Sequence, residues 1–380
     1  MRGEESDMLP YASLLIKPAS GSCNMACRYC FYRDVSERRE VPNLGRMSDT
    51  VMERLICRAL EESERGCSFA FQGGEPTLAG LDFFKRLVEL EHMYNARGVS
   101  ISNAVQTNGY ALSDEMMDFF VKEHFLIGVS FDGVPEIHDA LRLDAAGHGT
   151  SGRVQDTLRR LEEKHAEFNV LCVVNRYVAE KPDEVFAALS KYGYIQYIAC
   201  LDDFDGSRRD YSLTPELYGE FLRRSFDLYY REYKAGRFVS VRNFDNYIGI
   251  LAGRRPENCG MCGQCSVYYL VEADGGVYPC DFYVLDKWRL GSVNDSSFFA
   301  LSKSPLSKQF VDASLYVSEK CRGCKWYSLC RGGCRRDREP FVDGHPGLNQ
   351  WCSSFTALFE YAYPRMCEMA SELMGGRGGA

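Results

Sequence analysis

Between Leu14 and Asp202, six short apolar runs alternate with amphipathic segments, and this alternation constrains the fold more than any other feature. The runs read SLLIKPA, CSFAFQGG, VSISNAVQTNG, LIGVSFDG, FNVLCVVN and IQYIACLD. Each is rich in β-branched or aromatic residues, and several close on Gly, Asn or Asp, as strands entering loops do. Between them lie helical stretches. SDTVMERLICRALEES has Ser48 or Asp49 as its N-cap, and LDFFKRLVELEHMY is a second. Six βα repeats predict parallel strands joined by crossover helices. Six is short of the eight that close a full barrel. An open, partial (β/α)6 barrel therefore fits better than a doubly wound sheet, and the fold class is α/β.

Beyond Leu213 the pattern changes. TPELYGEFLRRSFDLYYREYKAG predicts a helix capped by Thr214 and stopped at Gly236. From about Asn258, cysteine, glycine and aromatics dominate and periodicity is weak. YYLVEADGGVYPC reads as a hairpin turning at Asp274-Gly275. A last helix spans about Ser353 to Leu373, and GGRGGA reads as a disordered tail. The expected organisation is a polar lead over 1–12, a partial barrel with its following helix over 13–235, a cysteine-rich and mostly irregular domain with a β-hairpin and short helices over 236–365, and a helix end with a flexible tail over 366–380.

A hydrophobic share of 45% supports a sizeable core, and a net charge of -8 argues against a nucleic-acid binder with a broad basic face. The start, MRGEESDMLP, has no apolar core of a signal peptide, and no stretch reaches the length of a membrane span. A soluble, cytoplasmic protein with no nucleic-acid or membrane partner is expected. It carries 17 cysteines, an odd count in a chain that reads as unsecreted. Such usage points to reduced thiols and metal sites rather than disulfides. Cys57, Cys67, Cys172, Cys200 and Cys367 are scattered among apolar neighbours and read as buried small hydrophobes.

The remaining cysteines fall into three sets. Cys23-x3-Cys27-x2-Cys30 directly follows the first strand, and in barrel-like folds the loops after strands form the catalytic face. Three thiolates leave a four-ligand centre one short. Either another residue completes a zinc knuckle, or a small molecule occupies an open iron of a four-iron cluster. In QGGEP, Gly73 and Gly74 would let the backbone approach a ligand closely. QTNG, from Gln106, and SFDG, from Ser130, bring polar groups to the same rim. Farther on, Cys259, Cys265 and Cys280 form a second set, and Cys321, Cys324, Cys330, Cys334 and Cys352 a third. Those eight thiolates suffice for two four-ligand centres, zinc or iron–sulfur, and leave Cys262 unassigned.

The first motif resembles that of radical S-adenosylmethionine enzymes. The resemblance implies a 4Fe-4S cluster on Cys23, Cys27 and Cys30, with the amine and carboxylate of S-adenosylmethionine as its remaining ligand. It implies cofactor contacts from Tyr29, Tyr32, Gly73, Gly74, Glu75, Ser130 and Arg142, with Arg153 as a nearby competing cation. The later cysteines resemble the SPASM extension of peptide-modifying radical enzymes, which carries two auxiliary 4Fe-4S clusters. Carried over, Cys259, Cys265, Cys280 and Cys334 would hold the nearer one, and Cys321, Cys324, Cys330 and Cys352 the farther.

LLIKPASGSCN, CSFAFQGGEPTLAGL, VYPCDFYVLDKWRLG, CKWYSLCRGGCRR and FEYAYPR together look like the anaerobic sulfatase-maturating enzymes, from about Leu14 to Arg365. That family oxidises a cysteine or serine of an unfolded sulfatase to Cα-formylglycine, with 5′-deoxyadenosine and methionine as coproducts. It draws on an electron donor such as a flavodoxin or ferredoxin. The resemblance makes Asp281 the base that takes the target's proton. Gln72, at the end of the second strand, is a candidate to contact the target side chain, with a structural hydrogen bond as the alternative. Two rival readings stay open: a thioether-forming maturase with the same clusters, and a zinc-stabilised peptide-binding protein without catalysis. No residue tells cysteine from serine targets.

Overall fold

The structure, a computed structural model, describes residues 8–342 and 344–375. Most of the polar lead and the tail beyond Gly375 lie outside the described residues. Each of the six apolar runs is a strand: β1 (Ala12–Ile16), β2 (Gly66–Phe71), β3 (Ser100–Thr107), β4 (Leu126–Ser130), β5 (Phe168–Val174) and β6 (Tyr194–Ala199). Six short strands follow among the described residues: β7 (Ser240–Val241), β8 (Leu270–Val271), β9 (Gly276–Tyr278), β10 (Gly291–Ser292), and the antiparallel pair β11 (Phe341–Val342) and β12 (His345–Pro346). β7 and β10 were not foreseen, because two residues are too few to show alternation.

The chain forms two compact units, each assembled from separate pieces. The first takes residues up to Ser130, Arg142–Phe168 and Val267–Phe310; the second takes Phe131–Leu141, Asn169–Ser266 and everything from Val311 on. In the first unit β1, β2, β3 and β4 pair in parallel and in chain order. That order lacks the reversal of a doubly wound sheet. The other edge of β1 receives β8, with Leu15 opposite Leu270, and β8, β9 and β10 continue antiparallel. The hairpin turns where expected, with Gly275 at φ +85 and Gly276 N–H donating to Asp274 Oδ1 at 2.8 Å. The apolar faces meet at Phe84, which stands edge-on to Phe71, Phe120 and Phe125 at centroid distances of 5.3, 5.0 and 6.1 Å. Ser48 caps the helix Asp49–Glu62, its side chain accepting from Val51 N–H.

In the second unit β5, β6 and β7 are parallel. The helix Pro215–Lys234 lies along the last helix, Cys352–Gly375. Tyr230 and Lys234 bond Glu368, and Tyr361 and Arg365 bond Asp227. Thr214 Oγ1 accepts from Leu217 N–H at 3.3 Å, and Gly236, at φ +68, follows the helix end. The architecture is thus α/β, a parallel-strand core followed by a cysteine-rich region of short strands and helices.

Cys67, Cys172 and Cys200 are buried as expected, whereas Cys57 and Cys367 are half-buried. Cys57 sits off the buried stripe of Met52, Leu55, Ile56 and Ala59, and Cys367 stands between Met366 and Met369 on its own helix. Among the described residues no helix is long and apolar enough to cross a membrane. Losing a threonine N-cap typically costs about 1 kcal/mol. Thr214→Ala should therefore lower stability by about that amount in urea unfolding, with the Cys-rich segment's iron content unchanged.

Candidate active site

The loop after β1 carries Cys23, Cys27 and Cys30, and the loop after β2 lies directly on it. Glu75 N–H donates to Ser22 O at 2.8 Å. A Cβ on Gly74 would fall 2.2 Å from Ser22 O, and one on Gly73 would fall 2.6 Å from the Lys17 side chain. Both glycines also have positive φ, so only glycine suits either position. Glu75 is buried and its carboxylate is fully engaged. It accepts from Thr77 N–H (3.1 Å), Thr77 Oγ1 (2.7 Å), Thr107 Oγ1 (2.9 Å) and Asn108 N–H (2.7 Å). Glu75 thereby ties the loop after β2 to the loop after β3. Asn108, not singled out in the sequence, donates to Asn24 Oδ1 at 2.7 Å and reaches Cys23 Sγ at 3.6 Å.

Burial of its sulfur pushes the Cys23 thiol up to about 11, and the charges of Glu75 and Cys30 add to the push. A Cys23 thiol that resists ionisation alone is what a bound cation would relieve, and three cysteines on one loop fit a thiolate-bound cluster. Tyr29, inside the motif, lies under Arg142, whose guanidinium is buried 5.3 Å from the ring centroid. The Arg142 segment is pinned to the cysteine loop by Ala26 N–H donating to Leu143 O at 2.7 Å. Arg153 stacks instead on Tyr110, at 4.8 Å. Ser130 Oγ, at the end of β4, accepts from Gln106 Nε2 at 3.2 Å.

A second group of the same unit surrounds Asp281. Its Oδ1 lies 3.3 Å from Cys280 Sγ and accepts from Phe282 N–H at 3.1 Å. Burial pushes the Asp281 carboxyl up, and Lys17 is among the groups pulling it back. Gln72 Nε2 donates to Tyr32 OH at 2.8 Å. Burial lifts the Tyr32 phenol well above its ordinary value, and the charges of Asp281, Cys30 and Cys280 lift it further, so the ring stands near all three. Phe31 packs against Phe282 at 4.9 Å between centroids, an apolar contact beside these polar groups. Lys17 Nζ lies 5.4 Å from the Tyr32 ring centroid and donates to Glu272 Oε1 at 2.7 Å. Arg39 Nη1 reaches the same oxygen at 2.6 Å. This buried trio was missed in the sequence; its one signal was a lysine closing the apolar run SLLIKPA.

In the second unit Cys321, Cys324, Cys330 and Cys352 line one cavity with aromatic walls from Trp326, Tyr327, Phe355 and Phe359. Burial pushes Cys330 up to about 11, and the other three cysteines add to it. Cys259 and Cys265 are near enough to Cys334 to raise its thiol further, after burial and Asp337. Arg336 N–H donates to Cys334 Sγ at 3.4 Å. Cys262 Sγ faces the carbonyls of its own loop, Asn258 O at 3.7 Å and Pro256 O at 3.9 Å.

Residues 18–197 match the Radical SAM superfamily, and residues 259–325 match an iron–sulfur cluster-binding domain called SPASM. The cysteine-type anaerobic sulfatase-maturating enzyme of Clostridium perfringens (strain 13 / Type A) is 42% identical over 96% of this chain and 100% of its own. That of Clostridium novyi is 40% identical over 95% of this chain and 98% of its own. The chain is an anaerobic sulfatase-maturating enzyme of the radical S-adenosylmethionine superfamily. Its fold agrees with that of native anSMEcpe with bound S-adenosylmethionine and Cp18Cys peptide: TM-score 0.91 at 41% identity, covering 96% of this chain and 100% of that one. The cofactors of such a maturase are 4Fe-4S clusters and S-adenosylmethionine. The zinc-stabilised, non-catalytic reading is set aside by this membership.

The fit of Gly74 against Ser22 O gives a direct check. Gly74→Ala should displace the cysteine loop and lower reconstituted iron by about four atoms per chain. Gly152→Ala, in open space on a helix, should leave iron unchanged.

Proposed function

We propose that this maturase oxidises a cysteine of an unfolded sulfatase polypeptide to Cα-formylglycine. The observation that carries the reading is Asp281, a half-buried carboxylate beside Cys280 and grouped with Tyr32, Gln72 and Lys17. Identity of 40–42% to maturases named cysteine-type, against 28–30% to maturases named serine-type, supports cysteine as the target rather than serine.

We assign the residue roles as follows, with the contacts described above as their support. Cys23, Cys27 and Cys30 would hold the first cluster. Gly73, Gly74, Ser130 and Arg142 would line the place of S-adenosylmethionine, with Tyr29 held by Arg142 and the loops braced by Glu75. Bound together, that cluster and S-adenosylmethionine supply a hydrogen-abstracting 5′-deoxyadenosyl radical. Asp281 takes the proton of the target thiol, while Gln72 and Tyr32 orient the sulfur. Cys259, Cys265, Cys280 and Cys334 would hold one auxiliary cluster, and Cys321, Cys324, Cys330 and Cys352 another; these would supply a one-electron acceptor. The thioaldehyde left on the substrate hydrolyses to aldehyde and sulfide. Residues 13–235 then serve as the cofactor-binding part and 236–365 as the auxiliary-cluster part. A small redox protein such as a flavodoxin or ferredoxin is the electron donor.

A peptide carrying Cys-x-Pro-x-Arg should lose about 18 Da under anaerobic turnover, read by mass spectrometry. The matching serine peptide, if it reacts, should lose about 2 Da. A thioether product without released sulfide would favour the cross-linking rival instead.

Asp281→Asn separates the base from the metal sites. Iron content and 5′-deoxyadenosine release should persist. Formylglycine should fall by about a hundred- to ten-thousand-fold, the usual cost of losing a general base. Near-normal yields of both products would return Asp281 to an ordinary loop residue.

A further inference from the structure

Arg338 is 6% exposed, yet every acceptor its guanidinium meets among the described residues is a neutral backbone carbonyl. Nε donates to Gly347 O at 3.2 Å, Nη1 to Ser314 O at 3.2 Å and Nη2 to Tyr316 O at 2.6 Å. Carbonyls orient the planar fork but bring no counter-charge. A cation left this way in the interior is costly unless an anion is supplied.

The anion-bearing side is close by. Ser314, whose carbonyl receives Nη1, also accepts Cys265 N–H at Oγ, at 2.8 Å. Arg336 repeats the pattern at 8% exposure: Nη2 donates to Asp202 O at 2.7 Å, the guanidinium lies 4.0 Å from the Phe204 centroid, and the N–H goes to Cys334 Sγ. Asp337 is a half-buried acid between the two arginines in sequence, and its Oδ1 accepts from Trp351 Nε1 at 3.1 Å. Among the described residues no carboxylate bonds the Arg338 guanidinium to balance it. A four-iron cluster with four thiolates carries a net charge of about -2 when oxidised, and would balance it.

We propose that Arg338 is a charge-compensating positioning residue for the auxiliary cluster whose ligands include Cys259, Cys265 and Cys334. Its cation makes that centre a better acceptor for the electron released when the target is oxidised. The inference rests on the ligand assignment proposed above. In the step concerned, the substrate radical is oxidised by one electron, the cluster is reduced by one, and the thiol proton goes to Asp281.

The test compares reconstituted holoenzyme carrying Arg338→Gln or Arg338→Lys with the unaltered enzyme, by iron content and by redox titration followed by electron paramagnetic resonance. With glutamine, the reduction constant of the auxiliary cluster should fall about tenfold, a potential about 59 mV more negative for one electron. Lysine keeps the charge without the fork and should stay close to the unaltered value. If glutamine instead costs about four irons that lysine retains, the charge is again what the cluster needs. Full iron with an unchanged potential in Arg338→Gln would overturn the proposal. So would equal losses in both variants, since Arg338 would then act only by tying carbonyls together. Cys265→Ala that keeps all its iron would overturn the ligand assignment itself, and the proposal with it.

Discussion

The buried carboxylate of Glu272 joins three parts of the first unit that the chain keeps far apart. It receives Lys17 from the end of β1 and Arg39 from beyond the cysteine loop, while itself following β8. Burial would lift its carboxyl, but Lys17 and then Arg39 outweigh burial and hold it below its ordinary value. Removing one member of a buried ion pair typically costs about 3–5 kcal/mol, because the partner is left uncompensated. Two cations share this one anion, so a positive charge remains near Tyr32 and Asp281. The hairpin that leads into Cys280 is thus fastened, through its first strand β8, beside the strand that leads into Cys23. The radical-forming loop and the proposed base are positioned by the same interaction.

The loops themselves are fixed by close approach rather than by bulk. Gly73 leaves room for the Lys17 stem, and Gly74 lets the loop after β2 rest on Ser22 O. Glu75 spends all its hydrogen-bonding capacity on Thr77, Thr107 and Asn108. Its carboxylate therefore serves the site by shaping the backbone that surrounds a cofactor. Charge is handled differently in the two units. Around Asp281 charged side chains pair with one another, whereas the Arg338 guanidinium meets only backbone carbonyls among the described residues.

The fold was readable where periodicity is long. All six runs from SLLIKPA to IQYIACLD became strands, and the caps at Ser48 and Thr214 and the turn at Asp274-Gly275 stand where side-chain chemistry placed them. Two-residue strands such as β7 and β10 escaped, because they arise from neighbouring chain and not from local pattern. Cysteine spacing picked out groups that do converge: Cys321, Cys324, Cys330 and Cys352 share one cavity. Lys17, Arg39, Glu272 and Asn108 were not legible as site residues. Each is an ordinary polar residue in sequence, and its importance comes only from the distant segment it meets. Arg142 and Arg153 could not be ranked by position alone, but one stacks on Tyr29 of the motif and the other on Tyr110.

The pairing of β1 on both edges bears on how this chain can be dissected. A fragment ending near Gly236 contains every βα repeat, so it looks like a self-sufficient module. It would nevertheless lack β8, which covers the outer edge of β1. That edge would present unpaired peptide groups, the geometry that templates strand addition between molecules. It would also strand Lys17 and Arg39 without Glu272 in the interior. Shortened versions made for expression would therefore tend to self-associate unless Val267–Phe310 is retained with them.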